Sequence, residues 1–121
     1  MKYKYRVTDA EEEVLNMLWS LETPIKQTEL LKHFEDQDKG WKRQTLNTLI
    51  VRLEEKGLVK REHRMVEPLF EKDEFHQLQL TEQIDYFFEG KWSNFFAAFS
   101  KQHKIGRDEA EEIIKLIKDN S

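Results

Sequence analysis

WKRQTLNTLIVRLEEKGLV, residues 41–59, is the stretch on which the reading of this chain turns. Leu46, Leu49, Ile50 and Leu53 recur at i, i+3, i+4 and i+7, which places them on one face of a helix. At about 100° per residue, Gln44, Asn47, Thr48, Val51 and Arg52 fall on or near the opposite face. The expected helix covers about 43–56, and Gly57 suits the left-handed residue that follows a helix end. An aliphatic stripe of this kind needs other elements to seat on. The polar face offers amide, hydroxyl and guanidinium groups, which hydrogen-bond base edges and phosphates.

Upstream, Thr8-Asp9-Ala10-Glu11 has the form of a capping box, in which Thr8 and Glu11 each bond the other's backbone amide. Val14, Met17, Leu18 and Leu21 follow at helical spacing, and Thr23-Pro24 disfavours continuation. A second helix is expected at roughly 27–36, with Leu30, Leu31 and Phe34 inward. Downstream, 58–62 and 69–71 are expected to pair as a hairpin around His63-Arg64-Met65, with Pro68 restricting the second strand to an edge or a bulge.

Three helices followed by a hairpin make the winged variant of the helix-turn-helix, whose second motif helix lies in the major groove. On that reading the DNA-facing candidates are Lys42, Arg43, Gln44, Thr45, Asn47, Thr48, Arg52 and Arg64. Gln44, Asn47 and Thr48 suit base edges, and Arg52 and Arg64 suit phosphates. The partner would be double-stranded DNA. A second reading of the same residues is a winged-helix protein-interaction module that never touches DNA. That module would want an apolar or acidic outer face; Val51 favours it, while Lys42, Arg43 and Arg52 oppose it.

Charge supports the first reading once it is resolved along the chain. The net charge is −4, yet residues 39–64 hold eight basic and three acidic side chains, a local balance of +5. Residues 73–121 hold six basic and ten acidic side chains, a balance of −4. Cysteine is absent, so neither a disulfide framework nor a thiolate metal site exists. His33, His63, His76 and His103 do not pair at metal-ligand spacing, and no serine sits in a nucleophile elbow. We therefore expect no metal, no cofactor and no enzymatic activity. No apolar run approaches the ~20 residues of a membrane span, and MKYKYRVTDAEE has no apolar signal region, which fits a cytoplasmic protein.

The remainder is helical: 75–89 with Leu78, Leu80, Ile84, Phe87 and Phe88, then a break at Gly90. Trp92, Phe95, Phe96 and Phe99 form a second stripe to about residue 102, and a last helix after Gly106 carries Ala110, Ile113, Ile114 and Ile117. With 38% hydrophobic and 36% charged residues, the core is thin. A short helical tail cannot bury so many aromatics alone, so Phe87, Phe88, Trp92, Phe95, Phe96, Phe99, Ile113, Ile114 and Ile117 are read as a two-fold homodimer interface. The expected fold is mostly α with a small β-hairpin wing. A winged-helix DNA-binding domain at 1–72 precedes a helical dimerisation domain at 73–121.

The segments VTDAEEEVLNMLW (7–19), WKRQTLNTLIVRLEEKGLV (41–59) and, more weakly, FFEGKWSNFFAAF (87–99) resemble the penicillinase-repressor family, which includes methicillin-resistance and copper-responsive repressors. The resemblance implies repression as a homodimer at a dyad-symmetric operator. It also implies release from DNA, either through a sensor-protease pathway that cuts the dimerisation helices or through copper bound by C-terminal cysteines. This chain departs from the pattern. Lys42 stands where the family has a capping serine, the wing lacks its turn glycine, and Pro68 replaces a wing aromatic. The family's cleaved Asn-Phe bond aligns with Ala98-Phe99, and the copper cysteines are absent.

Overall fold

The computed structural model describes residues 4–37 and 39–121. Elements run α1 (Asp9–Ser20), β1 (Ile25–Lys26), α2 (Gln27–Asp36), α3 (Arg43–Glu55), β2 (Val59–Glu62), β3 (Met65–Pro68), α4 (Lys72–Phe87), α5 (Trp92–Gln102) and α6 (Arg107–Asp119). They divide into two compact units, 1–83 and 84–121, with the boundary inside α4.

In the first unit the capping box forms as the sequence predicts. The Thr8 amide donates to Glu11 Oε1 at 2.8 Å, and the Glu11 amide donates to Thr8 Oγ1 at 3.2 Å. Val14, Leu15 and Leu18 of α1, Leu30 and Phe34 of α2, and Leu46, Leu49, Ile50 and Leu53 of α3 meet in one core, with Leu31 and Met17 at its margin. Trp41 lies on Phe34 with ring centroids 4.6 Å apart, closing the core at the start of α3.

Glu11 has a second role that the capping motif does not reveal. Its side chain is fully buried, and Lys56 Nζ, just past α3, donates to both carboxylate oxygens at 2.8 Å. Burial alone would raise the carboxyl's pKa; the Lys56 ammonium and the Thr8 amide and hydroxyl outweigh it and hold it below the ordinary 4.5. The pair ties the start of α1 to the end of α3.

The wing differs from expectation. The second strand is Met65–Pro68, not 69–71, and the turn is two residues long. His63 and Arg64 both have positive φ, 53° and 66°, the left-handed geometry that matches the twist of paired strands. No glycine or asparagine marks this turn; the ladder on both sides of it holds the conformation. A further strand, β1, pairs Ile25 with Val66, so β3 is the centre of a three-stranded sheet ordered β1-β3-β2. Pro68 is tolerated because it faces Val59 in the pair next to Leu69, whose amide donates to the Leu58 carbonyl at 2.9 Å. By strand alternation the proline nitrogen points to the opposite edge, and β1 does not reach that far.

The first turn of α4 contributes to this same unit. Phe75 is buried, its ring 5.7 Å from Trp19 and 6.5 Å from Tyr5, and Trp19 Nε1 donates to the Phe70 carbonyl at 2.8 Å. The Glu82 carboxylate accepts from the Lys4 and Tyr5 amides. The packed head thus extends past residue 72, where the sequence reading divides the chain. In the second unit Ile84 is the only described hydrophobic side chain that is buried. Among the described residues no helix is long and apolar enough to cross a membrane.

Candidate nucleic-acid interface

The aliphatic stripe of α3 faces the core, which leaves Arg43, Gln44, Thr45, Asn47 and Thr48 exposed. No side chain caps the start of α3, and its first turn holds no acid. The free amides and the positive end of the helix dipole therefore lie beside Lys42 and Arg43. Thr48 Oγ1 donates to the Gln44 carbonyl at 3.0 Å, so its hydroxyl is left chiefly as an acceptor.

The start of α2, the first turns of α3 and the wing enclose a cleft. Its lining brings together Arg43, Gln44, Asn47 and Arg64 from the candidate set, with Lys26, Gln27 and Arg61 added. Lys42, Thr45, Thr48 and Arg52 lie outside it, on α3 or just before it. Arg64 is exposed at the wing turn, and the Gln27 amide donates to its carbonyl at 3.0 Å, joining the wing to α2.

Ion pairing sorts the basic segment. Lys39 binds Glu13 at 2.6 Å, Lys56 binds Glu11 at 2.8 Å, Lys60 binds Glu62 at 3.1 Å and Arg61 binds Glu54 at 3.0 Å. Lys42, Arg43, Arg52 and Arg64 are exposed and make no ion pair among the described residues. Four of the eight cations are therefore committed within the fold.

Gln27 and Arg61 are contacts that sequence reasoning missed. Arg61 Nη1 donates to Asn47 Oδ1 at 2.6 Å and to Gln27 Oε1 at 3.1 Å, and Gln27 Nε2 donates to Asn47 Oδ1 at 3.2 Å. These residues lie 14 to 34 positions apart, so no local spacing signals the cluster.

In the second unit Phe95 collects the aromatics. Its centroid lies 5.7 Å from Phe88, 6.1 Å from Trp92, 5.3 Å from Phe96 and 5.8 Å from Phe99. Phe88, Phe95, Phe96 and Ile113 are half-buried. Phe87 stays 65% exposed, Ile114 50% and Ile117 52%, with Trp92 and Phe99 also exposed. The Ala98-Phe99 bond lies inside α5.

A sequence model described as penicillinase repressor matches residues 7–119. The methicillin resistance regulatory protein MecI of Staphylococcus aureus (strain N315) is 24% identical over 117 residues, covering 93% of this chain and 94% of that protein. The protein of the same name from Staphylococcus epidermidis matches to the same extent. That from Mammaliicoccus sciuri is 23% identical over the same span and coverage.

Proposed function

We propose that this chain, which belongs to the penicillinase repressor family, is a DNA-binding repressor that acts as a homodimer on a dyad-symmetric operator, with α3 in the major groove. The observation that carries this reading is the sorting of charge. Within residues 39–64 the cations left unpaired among the described residues are Lys42, Arg43, Arg52 and Arg64, and they flank the exposed amides of Gln44 and Asn47. Phosphate contacts then position the helix, and base-edge contacts select the sequence. Free cations spaced around a face of amide and hydroxyl groups match a phosphate backbone flanking base edges.

The tail, with residues 84–121 leaving Phe87, Trp92, Phe99, Ile114 and Ile117 exposed, supplies the apolar surface that a second copy would cover. Two heads joined in this way bind a dyad with an effective-concentration gain of roughly 10²–10⁴ over one head. Their half-sites lie about one helical turn, or a multiple of it, apart. The test is a mobility shift on duplexes selected from a random library. Selected duplexes should show an inverted repeat and shift with two chains bound. Selection of no duplex, or of an asymmetric site bound by one chain, refutes the proposal.

A further inference from the structure

We propose that Arg61, with Gln27, is a positioning residue that locks Asn47 as a hydrogen-bond donor. The base opposite Asn47 is then favoured when its major-groove edge offers acceptors without a donor, guanine or thymine, over the adenine that a free carboxamide favours, whose N6 donor would find no acceptor on Asn47. The proposal rests on the placement of α3 in the groove given above.

Donor chemistry makes the orientation unambiguous. A guanidinium has only donors, so the Asn47 atom 2.6 Å from Arg61 Nη1 is its oxygen, however freely a carboxamide turns elsewhere. The same Nη1 is 3.1 Å from a Gln27 atom that must also be oxygen. That leaves Gln27 Nε2 to donate to Asn47 Oδ1 at 3.2 Å, so both lone pairs of Oδ1 are used. Arg61 is itself held by Glu54 at 3.0 Å, from the last turn of α3. Asn47 Nδ2 donates to no protein group among the described residues, and Asn47 is exposed. Two N–H donors therefore face outward from the second turn of α3. Adenine is read by a carboxamide that both accepts from N6 and donates to N7. With its oxygen committed, Asn47 keeps only the donating half. Guanine O6 and N7, or thymine O4, accept from it.

The test selects duplexes from a randomised library with the full chain and ranks them by competition binding. The base pair at which Asn47→Ala loses preference is the one that Asn47 reads. Wild type should select guanine or thymine there. Arg61→Met, its fold checked by thermal melting, should shift the preference toward adenine by roughly tenfold. Gln27→Ala, which leaves Arg61 in place, should shift it the same way by less. Adenine selected by wild type overturns the proposal, as does an unchanged base in folded Arg61→Met. If Arg61→Met does not fold, Gln27→Ala decides, and an unchanged preference overturns the proposal. If Asn47→Ala alters no position, or wild type selects no sequence, the placement of α3 fails first. That failure is visible without any Arg61 variant, and it overturns the Arg61 proposal too.

Discussion

The division of cations into free and committed predicts a specific salt response. Within residues 39–64 each head holds four exposed cations with no ion pair among the described residues, Lys42, Arg43, Arg52 and Arg64. Two heads on one duplex would neutralise about eight phosphates, each contributing about −0.9 to the slope of log affinity against log salt, or about −7 together. Raising salt fourfold, from about 50 to 200 mM, then weakens binding roughly 10⁴-fold. Arg52→Ala removes one cation per head, so the slope should become shallower by about 1.8. Its loss should be nearly the same on operator and random duplex, because a phosphate contact carries no sequence information. Lys39→Ala is the control. Its ammonium sits 2.6 Å from Glu13, so removing it should leave the slope almost unchanged. Fluorescence anisotropy of a labelled duplex, titrated at several potassium chloride concentrations, measures all three. A wild-type slope shallower than about −3, or equal changes from Lys39→Ala and Arg52→Ala, refutes the reasoning.

The Glu11–Lys56 pair stabilises the head fully above pH 4.5, and this contribution is lost as pH falls through the lowered folded-state pKa of Glu11. Lys56→Met should cost roughly 2–3 kcal/mol at neutral pH, below the value for a fully buried pair because Lys56 is 30% exposed. Thermal melts should show the gap to wild type narrowing in acid; a gap independent of pH argues against the pair. Phe75→Ala should destabilise the head by about 3–5 kcal/mol, and a fragment ending at residue 72 should melt well below one ending at residue 83. Equal melting of the two fragments would show that α4 adds nothing to the core. Phe87→Asp places a charge on a side chain that is 65% exposed within its own chain, so the protomer should fold normally. Sedimentation at micromolar concentration should find it monomeric beside a dimeric wild type, since an interface would bury that charge unpaired. A variant that remains dimeric excludes Phe87 from the interface.

The sequence by itself determined whatever depends on neighbours in the chain. The capping box at Thr8 and Glu11, the aliphatic stripe of α3, the left-handed Gly57 and the break at Gly90 all follow from periodicity and local backbone preference. So did the polar face of α3, because a helix that buries Leu46, Leu49, Ile50 and Leu53 has no choice about which residues it exposes. The hairpin was legible as an element but not in register. His63 and Arg64 lack the glycine or asparagine that announces a two-residue turn, and their left-handed conformation is held by the β2–β3 ladder on either side of it, with β1 pairing on the far side of β3. Likewise β1, at two residues, has no pattern of its own and exists because Val66 and Met65 are beside it.

Only the tertiary structure decided how charge and hydrogen bonds were shared. A count of basic residues over 39–64 treats all eight alike, while the fold commits Lys39, Lys56, Lys60 and Arg61 to carboxylates. For Glu11 the sequence reading found the cap and missed the buried lysine 45 residues away. Asn47 was legible as exposed, but not as already bonded to Arg61 and Gln27. Periodicity reports which face of an element points inward. Which donor meets which acceptor depends on how separate elements close upon one another, and no short stretch of sequence carries that.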